Sequence, residues 1–138
     1  MTIIVPTDFS PNANNAALYA AKMLTGNYEV ELVLYHAYEK DNEAENVDAT
    51  LNELKGVLAQ QSIIKVECRS EKSDDFVDSL DRLTRHLGAQ LIVMGISTKS
   101  KLGQVFFGSN TLKMVQKNAC PVMIIPGSLD DERLEQLS

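Results

Sequence analysis

Cysteine is scarce in this chain. The two residues present, Cys68 and Cys120, stand alone with no CxxC pair, so neither a disulfide framework nor a thiolate metal site is indicated. Long apolar runs are absent as well. No segment approaches the roughly 18 residues of a membrane span, and the opening MTIIVPTDFS lacks the basic region and apolar stretch of a secretory leader. Basic residues are outnumbered, 13 Lys and Arg against 19 Asp and Glu, for a net charge of −6. That balance argues against nucleic acid or an anionic membrane as the main partner, because phosphate surfaces call for a cationic footprint. A small nucleotide is not excluded, since backbone N–H groups can hold its phosphates. A cytoplasmic protein with reduced thiols is expected.

The 138 residues, 44% hydrophobic and 23% charged, suit one globular domain able to bury roughly two thirds of its unfolded surface. Apolar runs alternate with helical periods. Ile3-Ile4-Val5 reads as a buried strand ending at Pro6. Ser10-Pro11 reads as N-cap and first helical residue, with Ala13, Ala17, Ala20 and Leu24 on one face and Gly26 beyond the end. Val30 to Tyr35 is a second strand, and a helix is expected from about Val47 through Leu51, Leu54 and Leu58. Ile63 to Val66 reads as a third strand. Ser73 or Asp74 can cap a helix carrying Phe76, Leu80, Leu83 and Leu87, closed by Gly88. Leu91 to Met94 is the most apolar strand; a long loop, Gly95 to Phe107, a short helix, Ser109 to Lys117, and a fifth strand, Val122 to Ile125, follow. Strands alternating with helices imply parallel pairing through right-handed crossovers. The expected fold is a single doubly wound α/β domain over residues 1–127, an open parallel five-stranded sheet with helices on both faces. An acidic tail, 128–138, forms a short helix or is disordered.

In such sheets ligands bind beyond the carboxyl ends of the strands, where strand order reverses. Two exits stand out: Pro6-Thr7-Asp8-Phe9-Ser10 after the first strand and Gly95 to Ser109 after the fourth. Gly108-Ser109-Asn110 opens a helix, whose N-terminus offers unpaired N–H groups and a positive dipole end to an anion. Lys99 and Lys101 are either phosphate-screening or solvated loop charges. Asp8 could accept hydrogen bonds from a ribose hydroxyl or an adenine amine, or simply cap its own turn. His36 ends a buried strand, where a core or hydrogen-bonded role outweighs a catalytic one. Asp41, Glu43, Glu45 and Asp48 read as a solvated acidic face. Walker A, GxGxxG and phosphoacceptor patterns are absent.

Pro6-Thr7-Asp8-Phe9-Ser10, Leu91 to Gly95, Gly108-Ser109, Cys120-Pro121-Val122 and Ile124-Ile125-Pro126 together resemble the universal stress protein family over about Thr2 to Pro126. The resemblance implies a strand order of 3-2-1-4-5 and dimerisation through the last strand. The family divides into ATP-binding and non-ATP-binding groups, and in the former ATP or another adenine nucleotide would lie in the crevice between strands one and four. Pro6, Thr7 and Asp8 would then face adenine or ribose, with Ala37 and Met94 near the base. Gly95, Thr98, Gly108, Ser109 and Asn110 would approach ribose and phosphates. Nucleotide-binding members carry Gly-x2-Gly-x9-Gly-Ser/Thr, whereas here the second glycine position is Thr98. If that position needs φ > 0, a β-branched residue suits it poorly; if its N–H alone matters, threonine serves.

The leading expectation is a regulatory module that binds an adenine nucleotide without robust catalysis, since no general base or Mg²⁺-holding acidic pair is evident. A dimeric scaffold with an empty crevice and a slow ATPase are the alternatives. Val122, Met123, Ile124 and Ile125 form an apolar edge that invites pairing with a second copy, unless the tail covers it.

Overall fold

The computed structural model describes residues 1–96, Lys113, Gln116 and 120–126. Five strands, β1 (Thr2–Pro6), β2 (Glu31–Tyr38), β3 (Lys65–Lys72), β4 (Leu91–Ile96) and β5 (Val122–Pro126), form one parallel sheet of order β3-β2-β1-β4-β5. The helices whose bounds lie among the described residues are α1 (Pro11–Leu24), α2 (Ala44–Gln61) and α3 (Phe76–Leu87). The expected α/β class, strand order and two-sided covering are all present. The helix expected at Ser109 to Lys117 is described only at Lys113 and Gln116, both helical. The acidic tail lies outside the described residues.

The alternation of side chains along each strand divides the core. Ile3, Val5, Leu32, Leu34, Val93 and Ile125 face α1 and α2, while Ile4, Val33, Tyr35, Ile92 and Met94 face α3. Both sides of β1, β2 and β4 are therefore covered, which is why these strands read as unbroken apolar runs.

Helix α1 begins as the sequence indicates. Ser10 is its N-cap, accepting the Ala13 N–H at 3.2 Å, and Pro11 occupies the first turn. Its buried face is alanine throughout: Ala13, Ala16, Ala17, Ala20 and Ala21. With side chains so short, the helix backbone lies close to the sheet. At Gly95 of β4 a methyl group would collide with the Asn12 carbonyl oxygen and stand 2.7 Å from its carbon and 3.1 Å from the Ala13 nitrogen. Gly95 has an ordinary packing reason to be glycine, and that contact fixes where α1 starts.

Several expected element bounds are corrected. The third strand is Lys65–Lys72, not Ile63 to Val66. The Ile63 N–H donates to Thr25 Oγ1 at 2.7 Å and its carbonyl accepts from Gly26 N at 2.8 Å, so Ile63 is tied into the end of α1 and its side chain is exposed. As an edge strand, β3 alternates instead: Val66 and Cys68 pack on the α1/α2 side, and Glu67, Arg69 and Glu71 occupy the alternate positions. Strand β2 extends to Tyr38, three residues past the expected end, because β3 pairs with it that far. Helix α2 starts at Ala44 behind a 3-10 turn, Asp41–Glu43. Its acidic start is mostly exposed, as expected, and carries two surface contacts: Lys72 Nζ lies 2.9 Å from Asp41, and Ser70 Oγ donates to Asp48 at 2.6 Å.

The cap of α3 is Asp75, accepting from Asp78 N at 3.0 Å, rather than Ser73 or Asp74. Ser73 Oγ accepts from Asp75 N at 3.1 Å, so it orders the residue that caps. Gly88 at φ +60° closes the helix as expected. On its inner side, Tyr35 joins β2, β3 and α3. Its hydroxyl lies 3.0 Å from Glu71 Oε2 and 2.9 Å from Ser79 Oγ, which donates to the Phe76 carbonyl.

Two measurable consequences follow from these contacts. Gly95→Ala should destabilise the fold by about 1–3 kcal/mol in urea titrations, because the clash is with backbone that cannot rotate away. Burial pushes the Tyr35 phenol up to about 12; the Ser79 hydroxyl opposes that rise and the Glu71 carboxylate adds to it. The folded chain holds that proton more tightly than the unfolded one. The resulting stability is complete below pH 10 and is lost between pH 10 and about pH 12, at most about 3 kcal/mol. Phenolate absorbance should show a late ionisation step that is missing in Tyr35→Phe.

Candidate functional site

The carboxyl ends of β1, β2 and β4 meet at the reversal point of the sheet, and a cavity of about 230 Å³ lies there. The chain after β1 forms one of its lips through short hydrogen bonds. Thr7 N donates to the Tyr35 carbonyl at 2.8 Å, continuing the β1–β2 ladder one step past Pro6. Thr7 Oγ1 accepts from Phe9 N at 2.9 Å and lies 3.4 Å from Asn14 Oδ1. Asp8 Oδ1 accepts from Ser10 N at 3.0 Å.

Two folded-back turns in succession leave Phe9 at φ +65°. A bulky side chain there is a genuine outlier, costing about 1–3 kcal/mol, and it persists only where its surroundings dictate it. The ring of Phe9 stacks on His36, with centroids 4.5 Å apart and planes inclined by 27°. His36 Nδ1 donates to the Thr7 carbonyl at 2.6 Å, which sets its tautomer.

Pro6, Thr7, Asp8, Ala37, Met94 and Gly95, anticipated from the sequence, all line this one cavity. Thr98, Gly108, Ser109 and Asn110 lie outside the described residues, as do Lys99 and Lys101. Three lining residues were not anticipated: Ala13, His36 and Phe76. Ala13 and Phe76 carry helical apolar periodicity and do pack on the core; each also sits in the first turn of its helix, where the helix faces the strand ends. His36 is hydrogen-bonded, as expected, and additionally forms a wall. Its position would have followed from a β2 drawn out to Tyr38, which sets His36 and Ala37 beside the chain leaving β1.

Asp8 does cap its own turn. A carboxylate accepts at about four lone-pair sites, so one amide leaves it able to bind a further donor. Thr7 is 5% exposed, whereas Asp8 is exposed. The cavity is smaller than the roughly 300–1,000 Å³ of a site for a whole drug-sized ligand. The described walls therefore enclose room for part of such a ligand rather than the whole of one.

An open depression of about 890 Å³ adjoins the cavity and shares Ala37 and Phe76 with it. Glu39, Asp74 and Asp75 line it, together with Lys113. Among the described residues three carboxylates stand against one ammonium there, a balance unfavourable for phosphate. Among the described residues no group of three or more His, Cys, Asp or Glu could hold a metal ion, and no helix is long and apolar enough to cross a membrane. Both cysteines are half-buried. Burial pushes both thiols up; nearby carboxylates, chiefly Asp48 for Cys68 and Asp81 for Cys120, add to the rise. Neither is a ready thiolate.

The model of the universal stress protein family matches residues 1–126. Among solved structures, a universal stress protein from Archaeoglobus fulgidus superposes with a TM-score of 0.77 at 23% identity, covering 91% of this chain and 98% of that one. The same source provides one in complex with dAMP, with a TM-score of 0.73 at 20% identity over 91% and 97% of the two chains. A universal stress protein in complex with cAMP gives 0.72 at 21% identity over 92% and 97%. No curated protein sequence matches. At these identities the superpositions speak for the fold, and the family model for kinship: the chain belongs to the universal stress protein family.

Proposed function

We propose that this chain is a regulatory module that binds an adenine nucleotide in the crevice at the ends of β1, β2 and β4, without robust catalysis. The observation that carries this reading is the single cavity shared by Thr7, Asp8, Ala37, Met94 and Gly95. It offers apolar walls for a flat base and an acidic acceptor for an amine or hydroxyl. The acidic depression beside Phe76 supports one orientation. The base lies towards β2 and α3, and the phosphate is directed away from Glu39, Asp74 and Asp75, past Gly95. Family members in complex with cAMP and with dAMP make an adenine ligand the natural first candidate. Slow ATP hydrolysis is the second reading, and an empty-crevice scaffold the third.

Melting the full chain with AMP, cAMP, dAMP and ATP separates these readings. A bound nucleotide at about 100-fold its Kd adds about 2.7 kcal/mol, and Asp8→Ala should reduce the shift. Adenine nucleotide should also be released on denaturing freshly purified protein. No shift with any of the four favours the scaffold; phosphate release above background, abolished by Asp8→Ala, favours the ATPase.

We further propose that two copies pair through β5. Among the described residues β5 bonds only to β4, so its other border is open to a partner strand. Val122 packs towards α3, and Met123 and Ile125 towards α1 and α2. Ile125 is 8% exposed, so a charge there would damage the core before it touched an interface. Ile124 is the position to change. Light scattering should show a dimer for the parent chain and a shift towards monomer for Ile124→Lys, with unchanged circular dichroism. A monomeric parent would overturn this pairing.

A further inference from the structure

Resting on the proposed adenine site, the geometry points to Phe9 as a positioning residue for base recognition: its ring holds the His36 imidazole in place as the wall against which the base lies. His36 separates two spaces. On one side is the 230 Å³ crevice; on the other is a depression of about 380 Å³ lined by Phe9, Asn42, Glu43, Asn46, Val47 and Thr50. The imidazole is held at one nitrogen by the Thr7 carbonyl, 2.6 Å away. One hydrogen bond leaves a ring free to pivot about it. The stacked Phe9, 4.5 Å off, fills the side towards which His36 would swing.

The backbone supports the same reading. Phe9 keeps φ +65° although it is neither glycine nor asparagine. Its N–H is bound to Thr7 Oγ1, the side chain of the residue whose carbonyl holds His36. Phe9, Thr7 and His36 therefore close a ring of contacts in which each fixes the next. Removing the phenyl group opens the 380 Å³ side to the imidazole and frees the wall of the crevice.

The test uses the full chain with AMP and ribose 5-phosphate as probes, in Phe9→Leu, Phe9→Gly and Phe9→Tyr. Leucine keeps apolar bulk without a ring, and glycine suits the positive φ. Calorimetry should show Phe9→Leu and Phe9→Gly weakening AMP by about tenfold, with ribose 5-phosphate unchanged and Phe9→Tyr within about twofold of the parent, the scale of one aromatic stack. The chain has two histidines, so the His36 ring protons can be followed by NMR. They should shift on adding AMP to the parent and lose the aromatic ring-current displacement in Phe9→Leu. AMP binding to Phe9→Leu with parental affinity, or His36 signals unmoved by AMP, overturns this inference and leaves the adenine site standing. Absence of AMP binding to the parent overturns both.

Discussion

The contact between the start of α1 and the end of β4 governs the rest of the molecule. Five buried alanines let the helix backbone descend onto the sheet, and Gly95 is the residue on which it lands. The descent determines how β1 must leave the sheet. In four residues, Thr7 to Ser10, the chain has to pass from an interior strand to a helix lying directly over it. The Thr7 and Asp8 side chains close that turn by hydrogen bonding forward to Phe9 and Ser10. A bulkier helix face would sit higher and need no such compressed passage. The crevice is thus a by-product of tight packing: the same approach that excludes a methyl group at Gly95 places Asp8, His36 and Gly95 around one space.

Most of the architecture could be read from the residues because interior strands and capped helices carry strong local signatures. Ile3-Ile4-Val5, Leu91 to Met94, Ser10-Pro11 and Gly88 all do in the structure what their chemistry suggests. The failures cluster at β3. An edge strand covered mainly by α2 has no need of apolar residues at every position, so Lys65–Lys72 looks like a loop, and the apolar pair Ile63-Ile64 draws the eye instead. The six described lining residues named in advance came from the family resemblance and the strand-exit rule together. Ala13, His36 and Phe76 were hidden because residues that wall a cavity and residues that fill a core share the same periodicity. Only strand register, such as Pro6 opposite Tyr35, tells them apart.

The electrostatics of the carboxyl edge are uneven, and the unevenness is informative. Acidic side chains gather beyond β2 and before α3, at Glu39, Asp74 and Asp75. Asp75 is also spent on capping α3. The Tyr35 hydroxyl, close to Glu71 and Ser79, fastens α3 to the sheet from below, so Phe76 enters the crevice from an anchored helix rather than a loose loop. The wall on the β2 and α3 side is therefore held by hydrogen bonds between strand and helix.

The two borders of the sheet are built on opposite terms. Along β3, Lys65, Glu67, Arg69, Glu71 and Lys72 present alternating charge, which discourages any strand from adding on. Along β5 the residues are Val, Met, Ile and Ile, with no charge. Among the described residues the sheet thus has one charged flank and one uncharged flank. Self-association by strand addition would stop at two copies, capped by a charged strand at each outer end, and could not grow into a fibre.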